Sequence, residues 1–303
     1  MFCRSFHLRS IVVFMRRSAA LLFLTTVLVR AETNTSQEFT RFAVALEKKF
    51  RQFGWNDIKI NSIGWEYYRK SSRDNPLFFK VFGNNVNNST IFLGGVHGDE
   101  PAPVYILTKL ALFLQDHPDY YKDKQIVIAP LVNPDGFLAM KSTRTNSRGV
   151  DLNRNFPTRN WEKDAYIQWK RNEQGARRKF PGQTAGSENE TKFQIALLSR
   201  FSPQKIISIH SPLGFYDYDG VSSELDRLGQ WLNEVSKETN LPVNKYRVFP
   251  GSLGNYAGVE RKIFTITLEL SSSNPAKAND YFDLFRQSFI KLTELRCGIG
   301  DRH

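Results

Sequence analysis

Cysteine is scarce in this sequence, with only Cys3 and Cys297 among 303 residues. Cys3 falls in an N-terminal segment that we expect to be removed, so the mature fold is predicted to contain no internal disulfide bond. Internal repeats and long low-complexity stretches are also missing, which leaves an ordinary globular chain. The sequence has no basic stripe with interleaved aromatic residues, so nucleic acid is not expected as a partner.

Acidic residues are absent from residues 1–31, which hold five arginines. Arg16 and Arg17 precede twelve mostly apolar residues, and small side chains precede a cleavage position after Ala31. This layout is typical of a secretory signal; a membrane anchor and a buried helix are the alternatives, and the apolar run is short for a membrane span. We therefore expect export to the periplasm by the Sec or the twin-arginine route, with no stable membrane insertion after cleavage. The true start is either the first residue or Met15.

The rest of the chain also carries a net positive charge. Removing the five N-terminal arginines leaves 37 of the 42 basic residues against 30 acidic ones, a net charge of about +7. Such a charge suits an anionic partner such as a cell wall or a membrane surface, but plain solubility charge accounts for it equally well. Charge alone therefore does not select the partner.

Apolar runs and helical periodicities alternate along the remaining sequence. Short apolar runs predict strands at 65–69, 77–82, 90–95, 125–132, 205–210 and 262–270. Helical spacing predicts helices at 37–53, 102–115, 220–239 and 279–296. The alternation predicts an α/β fold, with helices on both faces of the sheet, in one domain over residues 37–300. The polar stretch 133–200 breaks the pattern, and a loop of that length is usually functional.

Four candidate side chains for metal binding or catalysis fall at the ends of predicted strands. His97 and Glu100 follow one apolar strand, and His210 and Glu269 each end another. Ligands of open α/β sheets bind beyond the carboxyl ends of strands, and a catalytic zinc usually takes three His or acidic ligands. Taken alone, His97-x-x-Glu100 is more simply a turn, and His210 a hydrogen-bonded core histidine. Glu269 needs a partner or a function, because an unpaired carboxylate inside a sheet is costly.

The long polar stretch carries further candidates. NPDG at 133–136 has the composition of a turn. Arg144, Asn153 and Arg154 can grip a substrate carboxylate, and an arginine near a metal can stabilise the oxyanion of a tetrahedral intermediate. Surface arginines in loop salt bridges are the alternative explanation of the same residues.

These motifs, taken in order, resemble the zinc carboxypeptidases of the carboxypeptidase A type over roughly residues 60–295. The matching motifs are His97-x-x-Glu100, NPDG, Arg144, GVDLNRNFP (149–157), His210-Ser211 and TLEL around Glu269. The resemblance implies a mixed, eight-stranded sheet between helices and one Zn²⁺ ion per chain.

The resemblance also implies a role for each site residue. The zinc ligands would be His97, Glu100 and His210. Glu269 would be the general base that activates water and passes its proton to the leaving amine. Arg144 would polarise the scissile carbonyl and stabilise the oxyanion, and Asn153 and Arg154 would hold the free carboxylate of the substrate.

One feature of the family has two candidates here. Carboxypeptidases of animals place a mobile tyrosine shortly before a Gly-Ser pair, and Tyr246 stands at a similar spacing before Gly251, with Tyr256 as the rival. Leu253 and Gly254 lie where the family sets side-chain specificity. Because both are uncharged, we expect no acidic residue to meet a Lys or Arg side chain at that position.

Within the family, the motifs are most similar to the bacterial murein peptide amidase and DL-carboxypeptidase branch. That resemblance implies hydrolysis of the γ-D-glutamyl-meso-diaminopimelate bond of peptidoglycan stem peptides. The alternatives are a general metallocarboxypeptidase acting on L-peptides and an N-acyl amino acid deacylase of the succinylglutamate desuccinylase or aspartoacylase type. A zinc-free binding protein with the same fold is a further alternative, although all metal and catalytic positions are filled.

Overall fold

The structure, a computed structural model, describes residues 37–220 and 222–296. The predicted signal at 1–31 and both cysteines lie outside the described residues. The chain divides into two compact units, residues 1–44 and residues 45–303, and every strand and site residue discussed below belongs to the second. Among the described residues, no helix combines the length and the apolar character needed to cross a bilayer.

Thirteen helices and strands, numbered in chain order, make up the described fold. The helices are α1 (37–52), α2 (Pro101–Asp116), α3 (Pro134–Leu138), α4 (Asn189–Phe201), α5 (Leu225–Ser236) and α6 (Ala278–Glu294). The strands are β1 (Glu66–Lys70), β2 (Pro76–Gly83), β3 (Ser89–Leu93), β4 (Gln125–Ala129), β5 (Lys205–His210), β6 (Phe215–Asp219) and β7 (Phe264–Glu269). Short helical turns connect several of them.

The described strands form one mixed sheet in the order β1-β2-β4-β3-β5-β7-β6. The central pairs β4-β3, β3-β5 and β5-β7 are parallel, whereas the outer pairs are antiparallel. The central strands β3, β4 and β5 are buried throughout, which agrees with their continuous apolar sequences. The predicted α/β class with a mixed sheet is confirmed.

The number of strands differs from the expectation of eight, since the described residues form seven. The segment next to β6 runs parallel to it but makes a single bridge, between Tyr216 and Val243. Pro242 has no N–H to extend the ladder on one side. On the other side, the N–H of Tyr246 donates to the side chain of Asp217 at 2.9 Å instead of to a strand carbonyl. The eighth strand is therefore reduced to one bridged residue.

The prediction of a loop over residues 133–200 is only partly correct, because α3 and α4 lie within it. Asn133 caps α3 by accepting a hydrogen bond from the N–H of Gly136, so NPDG starts a helix rather than forming a free turn. The apolar face of α4 includes Phe193 and Phe201. Buried polar residues such as Glu190 interrupt that face in the sequence and hide its helical period.

Two other differences between the predicted and the observed strands have simple reasons. The strand predicted at 125–132 ends at Ala129, where Pro130 removes the next backbone donor. Strand β6 was not predicted, because its sequence FYDYD contains two aspartates, a residue type depleted in strands.

Helices cover the sheet on both faces. The side chains of α4 pack with Ile91 and Leu93 of β3, which point to one face. Phe92, between them, points to the other face and meets Phe289 of α6 edge to face at 5.9 Å. This double burial holds the central strands rigid, so the side chains at their carboxyl ends are carried on a stiff frame.

Candidate metal centre and substrate pocket

The candidate site lies at the carboxyl ends of three neighbouring parallel strands. His97 and Glu100 follow β3, His210 ends β5, and Glu269 ends β7. The register of β5 and β7 pairs His210 directly with Glu269. Strand order thus assembles residues that are as much as 172 positions apart in the chain, as expected for a sheet of this topology.

Close backbone packing explains the glycine in the turn that carries His97 and Glu100. A Cβ atom on Gly98 would lie 2.2 Å from the carbonyl carbon of Gly136 in α3. A Cβ atom on Gly136 would lie 2.6 Å from the carbonyl oxygen of Thr145. The turn after β3, the start of α3 and the loop before residue 150 are therefore stacked in contact, which only glycine allows.

The ligand atoms of His97, Glu100 and His210 converge on one point. His97 Nδ1 lies 2.7 Å from Glu100 Oε1 and 3.1 Å from His210 Nδ1, and His210 Nδ1 lies 3.1 Å from Glu100 Oε2. All three residues are at least 95% buried. In the part of the chain that the structure describes, this is the one group of His, Cys, Asp or Glu side chains placed to hold a metal ion.

The donor set fits a zinc ion. Tetrahedral zinc with bonds of about 2.0–2.2 Å separates its ligand atoms by roughly 3.3–3.6 Å, slightly more than the distances here. Arg144 Nη1 also lies 3.2 Å from His97 Nδ1. This one ring nitrogen therefore faces the carboxylate of Glu100, the imidazole of His210 and a guanidinium. A single proton at that nitrogen serves only one acceptor, whereas a cation satisfies both imidazoles and the carboxylate together.

Outer partners hold each imidazole ring in place. His97 Nε2 lies 3.2 Å from Asp151 Oδ1, and His210 Nε2 lies 2.9 Å from Ser208 Oγ. Asp151 also accepts a hydrogen bond from Arg144 Nε at 2.8 Å, so it orients one ligand and the nearby arginine. Metal-binding histidines commonly use their second nitrogen in this way. Sequence reasoning gave Asp151 no role, although its position in GVDLNRNFP was visible.

The neighbouring charges keep these buried acids ionised. Burial alone would raise the pKa of Glu100, but the imidazoles of His97 and His210 outweigh it and hold that pKa below its usual range. Burial is likewise outweighed at Asp151, where Arg144 and His97 hold the pKa well below its usual value. At neutral pH, Glu100 thus presents a charged carboxylate to the metal position, and Asp151 presents one to the far nitrogen of His97 and to Arg144.

Glu269 has a different environment from the other acids. Its Oε2 accepts a long hydrogen bond of 3.4 Å from the N–H of Leu213. Burial, and secondarily repulsion from Glu100, raises the pKa of Glu269 although His210 acts in the opposite direction. A carboxylate beside a metal position with a raised pKa is suited to take up and return a proton.

A cavity of about 350 Å³ opens beside these residues. Arg144, Asn153 and Arg154 line it together with the metal-binding group and Glu269. Arg154 is half-buried; its Nη1 donates to the carbonyl of Asn153, while its buried Nε finds no hydrogen-bond partner in the described chain. Asn153 accepts a hydrogen bond from the N–H of Leu253 at 2.8 Å, which fixes its amide at the cavity wall.

The structure separates the two candidate tyrosines. Tyr246 is 48% exposed, lines the cavity and packs against Phe215 and Phe249. Tyr256 is 5% exposed and stacks on Phe156 in the core, so it has no path to the substrate. Of the two, only Tyr246 is placed to contact a ligand.

One expectation for the specificity region is wrong. Leu253 does not line the cavity, because its side chain is 4% exposed and packs in the hydrophobic core. Its neighbour Gly254 takes that place at the wall. No acid stands at positions 253 and 254 themselves, but Asp217 and Asp219 of β6 line the same cavity. Sequence reasoning missed both, because β6 was not recognised as a strand with one face towards the site.

Three converging ligands, a proton-accepting carboxylate and an arginine-lined pocket define a metal-dependent hydrolase site. Comparison with known proteins gives the same class. The zinc carboxypeptidase family model matches residues 70–283. The chain therefore belongs to the zinc carboxypeptidase family, and it is a hydrolase of peptide bonds that uses zinc.

Relatives of this chain include bacterial murein peptide amidases. The chain is 30% identical to murein peptide amidase A of Escherichia coli strain K12 over 223 residues, which covers 72% of this chain and 86% of that protein. It is 31% identical to murein peptide amidase A of Vibrio campbellii over 232 residues, covering 75% and 86%. The crystal structure of murein-tripeptide amidase from Escherichia coli O157 superposes with a TM-score of 0.56 at 28% identity, covering 78% of this chain and 94% of that one.

Proposed function

We propose that this zinc peptidase cleaves the γ-D-glutamyl-meso-diaminopimelate bond of peptidoglycan stem peptides. The observation that carries the proposal is the half-buried guanidinium of Arg154, whose buried Nε has no partner in the described chain and which lines the pocket beside Glu269. A buried N–H of a cation without a partner is costly unless an anion binds it. A substrate that ends in a free carboxylate supplies that anion.

The relatives favour the wall peptide over other carboxylate-ending substrates. Two murein peptide amidases match this chain over most of their length. Arg178, Lys179 and Arg247 also line the pocket, which suits a substrate with more than one carboxylate. Stem peptides of this type carry carboxylates on both the glutamyl and the diaminopimelyl residue.

The proposed mechanism assigns one task to each residue. His97, Glu100 and His210 would hold the zinc ion, which would supply the Lewis acidity that lowers the pKa of water and polarises the scissile carbonyl. Glu269 takes a proton from the attacking water and then delivers it to the leaving amine. Arg144, oriented by Asp151 at 2.8 Å, donates to the oxyanion. Asn153 and Arg154 bind the terminal carboxylate and place the scissile bond beside Glu269.

Product analysis by mass spectrometry tests the substrate. The purified protein with zinc is incubated with L-alanyl-γ-D-glutamyl-meso-diaminopimelate, with blocked L-dipeptides and with N-acyl amino acids. We expect release of diaminopimelate from the tripeptide and little turnover of the other two classes. Cleavage of the L-dipeptides alone would identify a general carboxypeptidase, and cleavage of the N-acyl amino acids alone would identify a deacylase.

We also propose that the protein is exported. The support is the arrangement of residues 1–31, in which arginines precede an apolar run and small residues, Val29 and Ala31, stand three and one positions before the cleavage point. An exported enzyme would meet stem peptides in the wall itself. Expression in a bacterial host, cell fractionation and N-terminal sequencing test this directly. A periplasmic product that begins at Glu32 is expected, and an uncleaved product in the cytoplasm would refute export.

A further inference from the structure

A second cavity, of about 800 Å³, adjoins the substrate pocket. Its lining comes from Asp99 and from the segments 141–149 and 166–183, and we call it the side groove. Arg144 and Arg178 line both the side groove and the substrate pocket, so the two spaces meet at the arginine assigned to the oxyanion. The volume is in the range of small-molecule sites, which is roughly 300–1,000 Å³. The proposed reaction gives this groove no role.

The position of the side groove suits the acyl part of the substrate. Asn153 and Arg154, which are assigned to the terminal carboxylate, line the substrate pocket and not the groove. The acyl part leaves the scissile carbonyl in the direction away from that carboxylate. Because the groove begins at Arg144, which is assigned to the same carbonyl, it is placed to receive the acyl part.

Three aromatic side chains form one wall of the side groove. Trp169 meets Tyr166 and Phe180 edge to face, with ring centroids 5.2 Å and 5.0 Å apart. Its Nε1 donates to the carbonyl of Ala176 at 2.8 Å, which fixes the ring, and Tyr166 remains 48% exposed. Rigid rings with exposed surface bind an apolar face at a small cost in entropy.

The remaining charges of the side groove are mostly positive. Lys141, Arg144, Arg177 and Arg178 line it, against the single acid Asp99. Among the described residues, Arg178 pairs with Asp99 at 3.0 Å, whereas neither Lys141 nor Arg177 forms an ion pair. Asp99 Oδ1 is buried without a partner in the described chain, so it can accept an amide N–H from a passing peptide. The groove therefore disfavours an ammonium group and suits a ligand rich in oxygen acceptors.

We infer that the side groove binds a sugar ring joined to the N-terminus of the stem peptide, so that the enzyme cuts stem peptides still attached to their sugar. The C–H face of a pyranose ring matches the aromatic wall. Its hydroxyl and acetamido oxygens match the donors of Lys141 and Arg177. The amide that joins sugar and peptide also removes the terminal ammonium that the cations would repel. The inference deepens the proposed function and rests on it for the direction of the substrate.

Substrates that differ only at the N-terminus test the inference. The zinc-loaded protein is assayed on L-alanyl-γ-D-glutamyl-meso-diaminopimelate that carries an N-acetyl, an N-acetyl-glycylglycyl or an N-acetylmuramyl group. All three peptides lack the terminal ammonium, the second is longer without adding a ring, and only the third adds a sugar. We expect kcat/KM on the muramyl peptide to exceed that on the other two by about three- to tenfold, the size of one aromatic contact.

Variants of the side groove distinguish a contact with the sugar from a general effect. Tyr166→Ala and Arg177→Gln should each bring the ratio of kcat/KM on the muramyl and acetyl peptides towards one. Ile167→Ala is the matched control, because Ile167 is also 48% exposed and follows Tyr166 in the chain but does not line the groove. This control should keep the wild-type ratio and the wild-type rates.

Direct binding provides a readout that does not depend on turnover. Isothermal titration uses N-acetylmuramyl-L-alanyl-D-glutamate and N-acetyl-L-alanyl-D-glutamate, which both lack the scissile bond. The wild type should bind the muramyl ligand about three- to tenfold more tightly than the acetyl ligand. Tyr166→Ala and Arg177→Gln should reduce that difference, and Ile167→Ala should retain it.

The possible failures are distinguishable. Equal rates and affinities for the muramyl and acetyl ligands in the wild type would overturn the sugar site, although the proposed reaction stands. A glycylglycyl peptide cut as well as the muramyl peptide would show that the groove takes any longer acyl group, which also overturns the inference. So would an equal loss on all substrates in both groove variants. If no γ-D-glutamyl peptide is cleaved, the proposed function fails, and the titrations still decide whether the groove binds a sugar.

Discussion

Two buried acids of this protein, Asp151 beside the metal position and Glu190 at the start of α4, behave in opposite ways. Both are fully buried. Asp151 contacts Arg144 at 2.8 Å and His97 at 3.2 Å, and its pKa falls well below the usual value. Glu190 accepts a hydrogen bond from the neutral amide of Asn146 at 3.2 Å on Oε2, with no partner for Oε1 in the described chain. Burial raises its pKa to about 7.

The comparison shows that the partner, and not burial, decides the charge of an acid in this fold. An acid that contacts cations keeps its charge and can orient a metal ligand. An acid surrounded by neutral groups becomes a weak acid and acts as a neutral hydrogen-bonding residue around neutral pH. The following predictions test this contrast, from the largest expected effect to the smallest.

Glu269 combines features of both acids, because burial raises its pKa while the nearby His210 acts in the opposite direction. Its substitution should have the largest effect on activity. Glu269→Gln keeps the shape of the side chain but removes the proton acceptor, so kcat should fall by about 10²- to 10⁴-fold. Zinc content, measured by atomic emission, should stay at the wild-type level because the three ligands are intact. Preserved activity would remove Glu269 from the role of general base.

Arg154 forms no ion pair with a carboxylate among the described residues, so its loss should weaken binding of the substrate carboxylate. Arg154→Met should lower kcat/KM on carboxylate-ending peptides by about 100-fold, chiefly through KM. The control is the same peptide with its terminal carboxylate amidated, on which wild type and variant should be equally slow. A similar drop on both peptides would indicate a folding defect instead of carboxylate binding.

Substitution of Asp151 tests how much its charge contributes to zinc affinity. Asp151→Asn preserves size but weakens the contacts to His97 and Arg144, so zinc affinity should fall by about 10- to 100-fold. Competition with a chelator measures that affinity, and circular dichroism confirms the fold. Ser208→Ala, which removes the neutral partner of His210, is the matched comparison and should cost less. Unchanged affinity in Asp151→Asn would contradict the assigned orienting role.

Glu190 should affect stability and not catalysis. Because its folded pKa of about 7 exceeds the ordinary value of 4.5, the folded state prefers the protonated form. That preference is fully present below pH 4.5 and is lost as the pH rises towards 7. Glu190→Gln should therefore raise the free energy of unfolding at pH 8 by up to about 3 kcal/mol and change it little at pH 4.

Urea unfolding of the zinc-loaded protein at the two pH values measures the effect, with kcat/KM as a check on the site. Glu234→Gln, which alters an exposed glutamate paired with Lys237, is the control and should have a small effect at both pH values. A variant that is less stable than wild type at pH 8 would show that Glu190 is ionised and needed as a charge.

The candidate metal centre was predictable from the sequence because its ligands follow strands with plain apolar signatures. His97, Glu100, His210 and Glu269 stand where buried strands end, and parallel strands bring those ends together. The helix α4 and the strand β6 were not predictable in the same way. Their buried polar residues, Glu190 in one and two aspartates in the other, break the periodicity on which such predictions depend.

The sequence by itself therefore determined the fold class, the metal ligands and the family, because these depend on local patterns and on short ordered motifs. The tertiary structure alone decided which tyrosine faces the pocket, that Leu253 belongs to the core, and that Asp217 and Asp219 line the pocket. Those outcomes depend on which face of a strand or turn meets which neighbour. Such pairings join residues far apart in the chain, so no local pattern in the sequence records them.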